Sequence, residues 1–175
     1  MIQIAYKMKM YREILDNILK PNDTVCELGC HVGKSSQFIL DRISDGELIA
    51  LDNSPEADNK MNILKKDYSN LTFINCDVRL HESLKTVKEK IEKCDVLSVD
   101  LGGGYHPDTV FKVYYIWSST FKPRDTIIRN RGLIDFLNTA NCMENIHSEN
   151  GYLDSCGDMG IPPQIKEFQL WSKKI

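Results

Sequence analysis

The 175-residue chain has no C-x-x-C pair, no long apolar run and no surplus of basic charge, and each gap closes off a class of protein. Without paired spacing, the six cysteines (Cys26, Cys30, Cys76, Cys94, Cys142 and Cys156) fit neither a zinc site nor a disulfide framework, and no metal is expected. Cys26, Cys76 and Cys94 stand in or beside apolar runs, where a reduced cysteine acts as a small buried hydrophobe. With no secretory signal, a cytoplasmic protein with free thiols is expected. No apolar stretch approaches the roughly 20 residues that span a bilayer, so no membrane association is expected. Lys7, Lys9, Arg12 and Glu13 break up the N-terminus, which is therefore no targeting segment. A net charge of -3 argues against strong non-specific nucleic-acid binding but allows a local basic patch. Internal repeats and low-complexity linkers are missing too. One domain over residues 1–175 is expected, and 42% apolar residues suffice to bury its core.

What is present is an alternation. Tyr11, Ile14, Leu15, Ile18 and Leu19 recur at helical spacing until Lys20-Pro21-Asn22-Asp23 stops them, and a leading helix is expected over 1–20. Short strands over 24–28, 47–52, 71–75, 94–100 and 125–130 follow, each succeeded by a helical pattern. Ser54-Pro55-Glu56 is a helix start, with a capping residue, a proline at the first position and an acid at the positive end of the dipole. The near-continuous apolar run in "CDVLSVD" suits a central parallel strand covered on both faces. Residues 110–120 fit strand or helix by composition; the alternation and Pro107-Asp108 favour helix. Residues 151–155 and 165–174 read as two final strands. The sum is an α/β fold: a doubly wound, mostly parallel seven-stranded sheet with helices on both faces and the last strand antiparallel. Such sheets bind ligands beyond the carboxyl ends of their strands, at the switch point.

The stretch "ELGCHVGKSS" at 27–36 carries two readings. Gly33-Lys34-Ser35 looks like a phosphate loop, but that loop needs four residues between its glycines, and Gly29 and Gly33 enclose three. A nucleotide-hydrolysing protein therefore stands as the alternative. The other reading is a nucleoside-cofactor turn, in which Gly29 and Gly33 permit close backbone approach. Asp52, ending the second strand, would then accept from a ribose diol. A dinucleotide fingerprint is absent, because Cys30-His31 stands where its second glycine belongs.

Glu27-Leu28-Gly29-Cys30-His31-Val32-Gly33, Asp52, Asn75-Cys76-Asp77-Val78, Asp95 to Asp100 and Phe121-Lys122-Pro123 follow one another at successive strand ends. In this order they resemble the motifs of the class I S-adenosylmethionine-dependent methyltransferases, over roughly residues 24–173. The resemblance implies S-adenosylmethionine as cofactor, contacted by Glu27, Gly29, Cys30, His31, Gly33, Ser35, Asp52, Asn53, Asp77, Val78, Asp100 and Leu101. The first loop would lie against the methionine half, Asp52 on the ribose, and Asp77 with the Val78 N–H on the adenine. Arg124-Asp125 replaces the two glycines expected before the fifth strand.

The loop "LGGGYHPDT" after Asp100 lacks the Asn/Asp-Pro-Pro-aromatic pattern of base-amino methyltransferases, and Arg129-Asn130-Arg131 supplies no carboxylates for a catechol-type metal site. Methyl transfer is an in-line attack that needs positioning and, for some acceptors, a base. Asp100, Tyr105 and His106 are the catalytic candidates, with His106 of the residue type suited to proton uptake near neutral pH. Arg129 and Arg131 follow the fifth strand; they would either receive an anionic group of the substrate or pair with Asp135 or Glu144 at the surface. The acceptor, a small molecule or RNA, is not legible. A homodimer, an accessory subunit, and a cofactor-binding module without transfer activity all stay open.

Overall fold

The computed structural model describes residues 1–102 and 105–156. Six strands alternate with six helices: β1 (Ile2–Ala5), α1 (Met8–Ile18), β2 (Thr24–Leu28), α2 (Lys34–Leu40), β3 (Glu47–Asp52), α3 (Pro55–Asp67), β4 (Leu71–Asn75), α4 (His81–Lys88), β5 (Val96–Val99), α5 (Pro107–Phe121), β6 (Asp125–Arg129) and α6 (Arg131–Thr139). The strands form one sheet in the order β1-β6-β5-β2-β3-β4, and every pairing is parallel.

Both faces are covered, which is why β2, β3 and β5 carry almost unbroken apolar sequence. On one face Tyr11 and Leu15 of α1, Ile39 of α2 and Met61 of α3 pack with Val25, Leu48, Val96 and Ile127. On the other, Leu84 and Val87 of α4 and Val110, Val113, Tyr114, Trp117 and Phe121 of α5 pack with Cys26, Leu28, Leu97 and Ile128. The segment 110–120 is helical because its large residues recur at helical spacing against the sheet; buried Trp117 also donates its Nε1–H to the Val78 carbonyl (2.9 Å).

Three expectations need correction. The leading helix does not fill residues 1–20, since Ile2–Ala5 is an edge strand whose Ile2 to Ala5 register with Thr126 to Arg129, and the helix begins only at Met8. The seven-stranded sheet with an antiparallel last strand is not found among the described residues, which form six parallel strands. Residues 151–155 are not a strand. Gly151 donates to the Pro123 carbonyl (3.1 Å) and accepts from the Thr126 hydroxyl (2.5 Å), so the chain crosses the start of β6 and then makes a 3-10 turn at Asp154–Cys156. The other expected strand, over 165–174, lies outside the described residues. Among the described residues no helix is long and apolar enough to cross a membrane.

Candidate cofactor and transfer site

Parallel strands end on one side of the sheet. Chain order reverses at β2, which has β3 on one flank and β5 on the other. The loops leaving β2 and β5 must diverge there, and a cleft of about 820 Å³ opens between them. That volume lies within the range of sites for small molecules and cofactors.

Gly29 makes the switch point. Its φ is +89°, and a Cβ on it would lie 2.1 Å from the Asp100 carbonyl oxygen, so only glycine lets the β2 and β5 loops touch. Its N–H donates to the Leu51 carbonyl (2.8 Å), while the Asp100 N–H donates to the Leu28 carbonyl (2.9 Å). His31 and Gly33 also take left-handed backbone, and Gly33 begins α2.

Along the cleft the charged groups follow strand order. Asp52, at the end of β3, accepts from the His31 N–H and the Ser54 N–H, both at 2.7 Å. Its carboxylate is thereby fixed by main chain from two loops. Ser54 does not cap α3 with its side chain, whose hydroxyl is buried without a partner among the described residues. After β4, Asp77 takes a fork from Arg79, with Nε at 2.9 Å and Nη2 at 2.7 Å, together with the Arg79 N–H at 2.9 Å. Burial would raise the Asp77 carboxyl, but the bonds and charge of Arg79 outweigh it and hold the group below the usual carboxylate range. The Val78 N–H, in the same turn and lining the cleft, meets no acceptor among the described residues.

At the other end Arg129 binds both oxygens of Asp100, at 3.0 and 3.2 Å, and donates its Nε–H to the Tyr6 carbonyl (3.0 Å). One guanidinium thus ties the ends of β1, β5 and β6. Arg131 takes the other expected course: it sits at the surface, 3.6 Å from Asp135.

The structure brings Gly29, Cys30, His31, Ser35, Asp52, Asn53, Asp77, Val78, Asp100, Leu101 and His106 to the cleft wall. Three expected residues do not line it. Gly33 packs against Met61. Tyr105 points its ring outward, 70% exposed, while buried Asn130 holds its carbonyl at 3.1 Å. Glu27 lies beneath the loop, 1% exposed, accepting from the Ser36 hydroxyl at 2.5 Å. Burial pushes the Glu27 carboxyl up to about 8; the Ser36 bond opposes this, and the charges of Asp100 and Asp52 add to it. Glu27 is therefore a neutral acid at pH 7, supporting the loop from below. Next to it in register, Ser98 shares a 2.5 Å hydrogen bond with buried Tyr11.

Sequence reasoning missed Met8, Arg12, Arg79 and Thr109 in the wall. Met8 and Arg12 stand one helical turn apart, and that spacing was the available signal.

An α/β sheet with a glycine switch point and a fixed carboxylate one strand away defines the nucleoside-cofactor class to which S-adenosylmethionine-dependent methyltransferases belong. The model of the FtsJ-like methyltransferase family matches residues 3–126, and the chain belongs to that family. No curated protein matches the chain. Among solved structures, fibrillarin of Aeropyrum pernix with natively bound S-adenosyl-L-methionine is similar at 19% identity over 65% of this chain and 48% of that one, TM-score 0.53. A putative rRNA methylase from Clostridium thermocellum shares 15% identity over 79% and 83% of the two chains, TM-score 0.57. An rRNA methylase from Streptococcus thermophilus shares 14% over 75% and 78%, TM-score 0.54. These likenesses are of fold. This chain spans about half the length of the fibrillarin.

Proposed function

We propose that residues 1–175 form one cofactor domain that transfers a methyl group from S-adenosylmethionine to an RNA or small-molecule acceptor. The observation that carries this reading is Asp52, held by two backbone N–H groups beside a glycine turn at the switch point, in a chain of this family.

The donor set fits the cofactor. Asp52 keeps lone pairs for a ribose diol, and the open Val78 N–H would donate to a ring nitrogen of the adenine. The Asp77 carboxylate already shares its charge with Arg79, so it would meet the adenine amine as one half of an ion pair. Gly29, Cys30 and His31 supply a wall of main chain for the methionyl arm, with Ser35, Asn53 and Leu101 at its borders. When bound, the cofactor supplies an electrophilic sulfonium methyl. The chain's part is to exclude water and to align a nucleophile in front of that methyl. Asp100, fixed by Arg129, would orient an acceptor's hydroxyl or amine, and His106, which precedes α5 and lines the cleft, would take its proton. Glu27 and Gly33 shape the loop without touching the ligand.

RNA as acceptor is supported by rRNA methylases among the similar folds. An accessory subunit is supported by the fibrillarin/Nop5p complex, similar at 18% identity with TM-score 0.54. A cytoplasmic location is supported by six free cysteines.

Calorimetric titration with S-adenosylmethionine and S-adenosylhomocysteine tests the reading. Binding that Asp52→Ala weakens about 100-fold supports it; no binding, or equal binding in the variant, sinks it. Labelled methyl transfer to cellular RNA and to a small-molecule extract then assigns the acceptor.

A further inference from the structure

The arginines of this chain divide five to one. Arg42 pairs with Asp16, Arg79 with Asp77, Arg124 with Asp23 and Asp125, Arg129 with Asp100, and Arg131 with Asp135. Arg12 alone has no carboxylate and no hydrogen bond among the described residues. Among the described residues its Nε is fully shielded from solvent and unpartnered, and the guanidinium carbon lies 6.0 Å from the Phe38 ring. That ring is already covered by Arg42 at 3.4 Å. Arg12 itself is half-buried, and burying one of its guanidinium N–H groups without an acceptor is costly.

Arg12 lines the cleft. It projects from α1 one turn beyond Met8, whose sulfur receives the Ser35 hydroxyl at 3.9 Å, so α1 and α2 meet at this wall. Across the cleft stand two carboxylates, Asp77 after β4 and Asp52 after β3. A ligand whose ribose lies at Asp52 and whose purine lies toward β4 must extend its other arm past Gly29 toward α1. The opposite polarity waits there.

We infer that Arg12 is the anion-binding residue of the cleft and holds the carboxylate that ends the cofactor's methionyl arm. The inference rests on the S-adenosylmethionine reading and adds to it a residue outside every motif recognised in the sequence. Binding would give the guanidinium its missing acceptor, so ligand affinity and protein stability are coupled at this residue.

The test compares S-adenosylhomocysteine with 5'-methylthioadenosine, which lacks the carboxylate, in the wild type, Arg12→Gln and Arg12→Lys. Calorimetry should show at least about tenfold weaker S-adenosylhomocysteine binding in Arg12→Gln and a partial recovery in Arg12→Lys. Methylthioadenosine affinity should change less than about twofold. Unfolding of ligand-free Arg12→Gln should come at or above the wild-type temperature, because the variant no longer buries the unpartnered Nε–H. Equal losses for both ligands, or a lowered ligand-free melting temperature, would make Arg12 a packing element and overturn the inference. Unchanged S-adenosylhomocysteine affinity with transfer lost would assign Arg12 to an anion of the acceptor, and overturns it as well. Failure of the wild type to bind S-adenosylhomocysteine is a separate result, which removes the methyltransferase reading and this inference together.

Discussion

The two ends of the cleft are built by different means. At the β3 end, the Asp52 carboxylate is gripped by backbone N–H groups of His31 and Ser54. At the β5–β6 end, Asp100 is held by a side chain, Arg129, and Arg12 is not held by any acceptor among the described residues. Main-chain donors cannot change rotamer, so the first end is set before a ligand arrives. Side-chain pairs can reorganise, so the second end suits variable partners: the acceptor and the reacting arm. On the proposed reading, cofactor recognition would lie where the fold is stiff, and chemistry where it is adjustable.

That contrast can be broken first at its hinge. Gly29→Ala places a Cβ 2.1 Å from the Asp100 carbonyl in a left-handed backbone. It should cost about 4 kcal/mol or more and separate the two ends, as read by urea denaturation. Next is Glu27 beneath the hinge. Its folded carboxyl keeps its proton to about 8, whereas the unfolded group releases it near the ordinary 4.5. The stability from this group is complete below the lower value and is lost as pH rises through the upper one. Between pH 5 and 8.5 the wild type should lose on the order of a few kcal/mol more stability than Glu27→Gln, measured by denaturation at each pH.

Smaller effects should distinguish the ends themselves. Asp52→Ala should weaken S-adenosylhomocysteine by about 100-fold, roughly 2.7 kcal/mol, by calorimetry. Arg129→Met leaves a partly buried Asp100 without its guanidinium and should cost about 1–2 kcal/mol of stability, with cofactor affinity nearly unchanged. If it instead costs affinity as Asp52→Ala does, the division of labour is wrong. Arg131→Ala is the control: its exposed pair with Asp135 should be worth less than about 0.5 kcal/mol in the same unfolding measurement.

Much of the fold was legible because periodicity reports burial. Five strands and the helices between them follow from apolar spacing, and 110–120 is a helix because Val110, Val113, Tyr114, Trp117 and Phe121 face the sheet together. Edge elements were less legible. Ile2–Ala5 is short and only Ala5 is buried, so its pattern merges into α1, and its pairing with β6 is non-local. Residues 151–155 have strand composition, yet Gly151 is used for close packing across β6. At the site, glycine spacing and acids after strands marked Gly29, Asp52, Asp77 and Asp100. The depth of Glu27 beneath its loop, the outward turn of Tyr105 and the unpaired state of Arg12 depend on three-dimensional neighbours that spacing does not encode.

The placement of β1 also sets an order of events in time. It is made before the other strands of the sheet, yet among the described residues it pairs only with β6, where Ile2 registers with Thr126. At about 5–20 residues per second a ribosome needs roughly 6 to 25 s to bridge that interval. During this wait the newborn strand has no ladder to join, and the four-stranded centre (β5-β2-β3-β4) can zip up before the edge arrives. Residues 2–5 should therefore be among the last of the sheet to gain protection from hydrogen exchange during refolding.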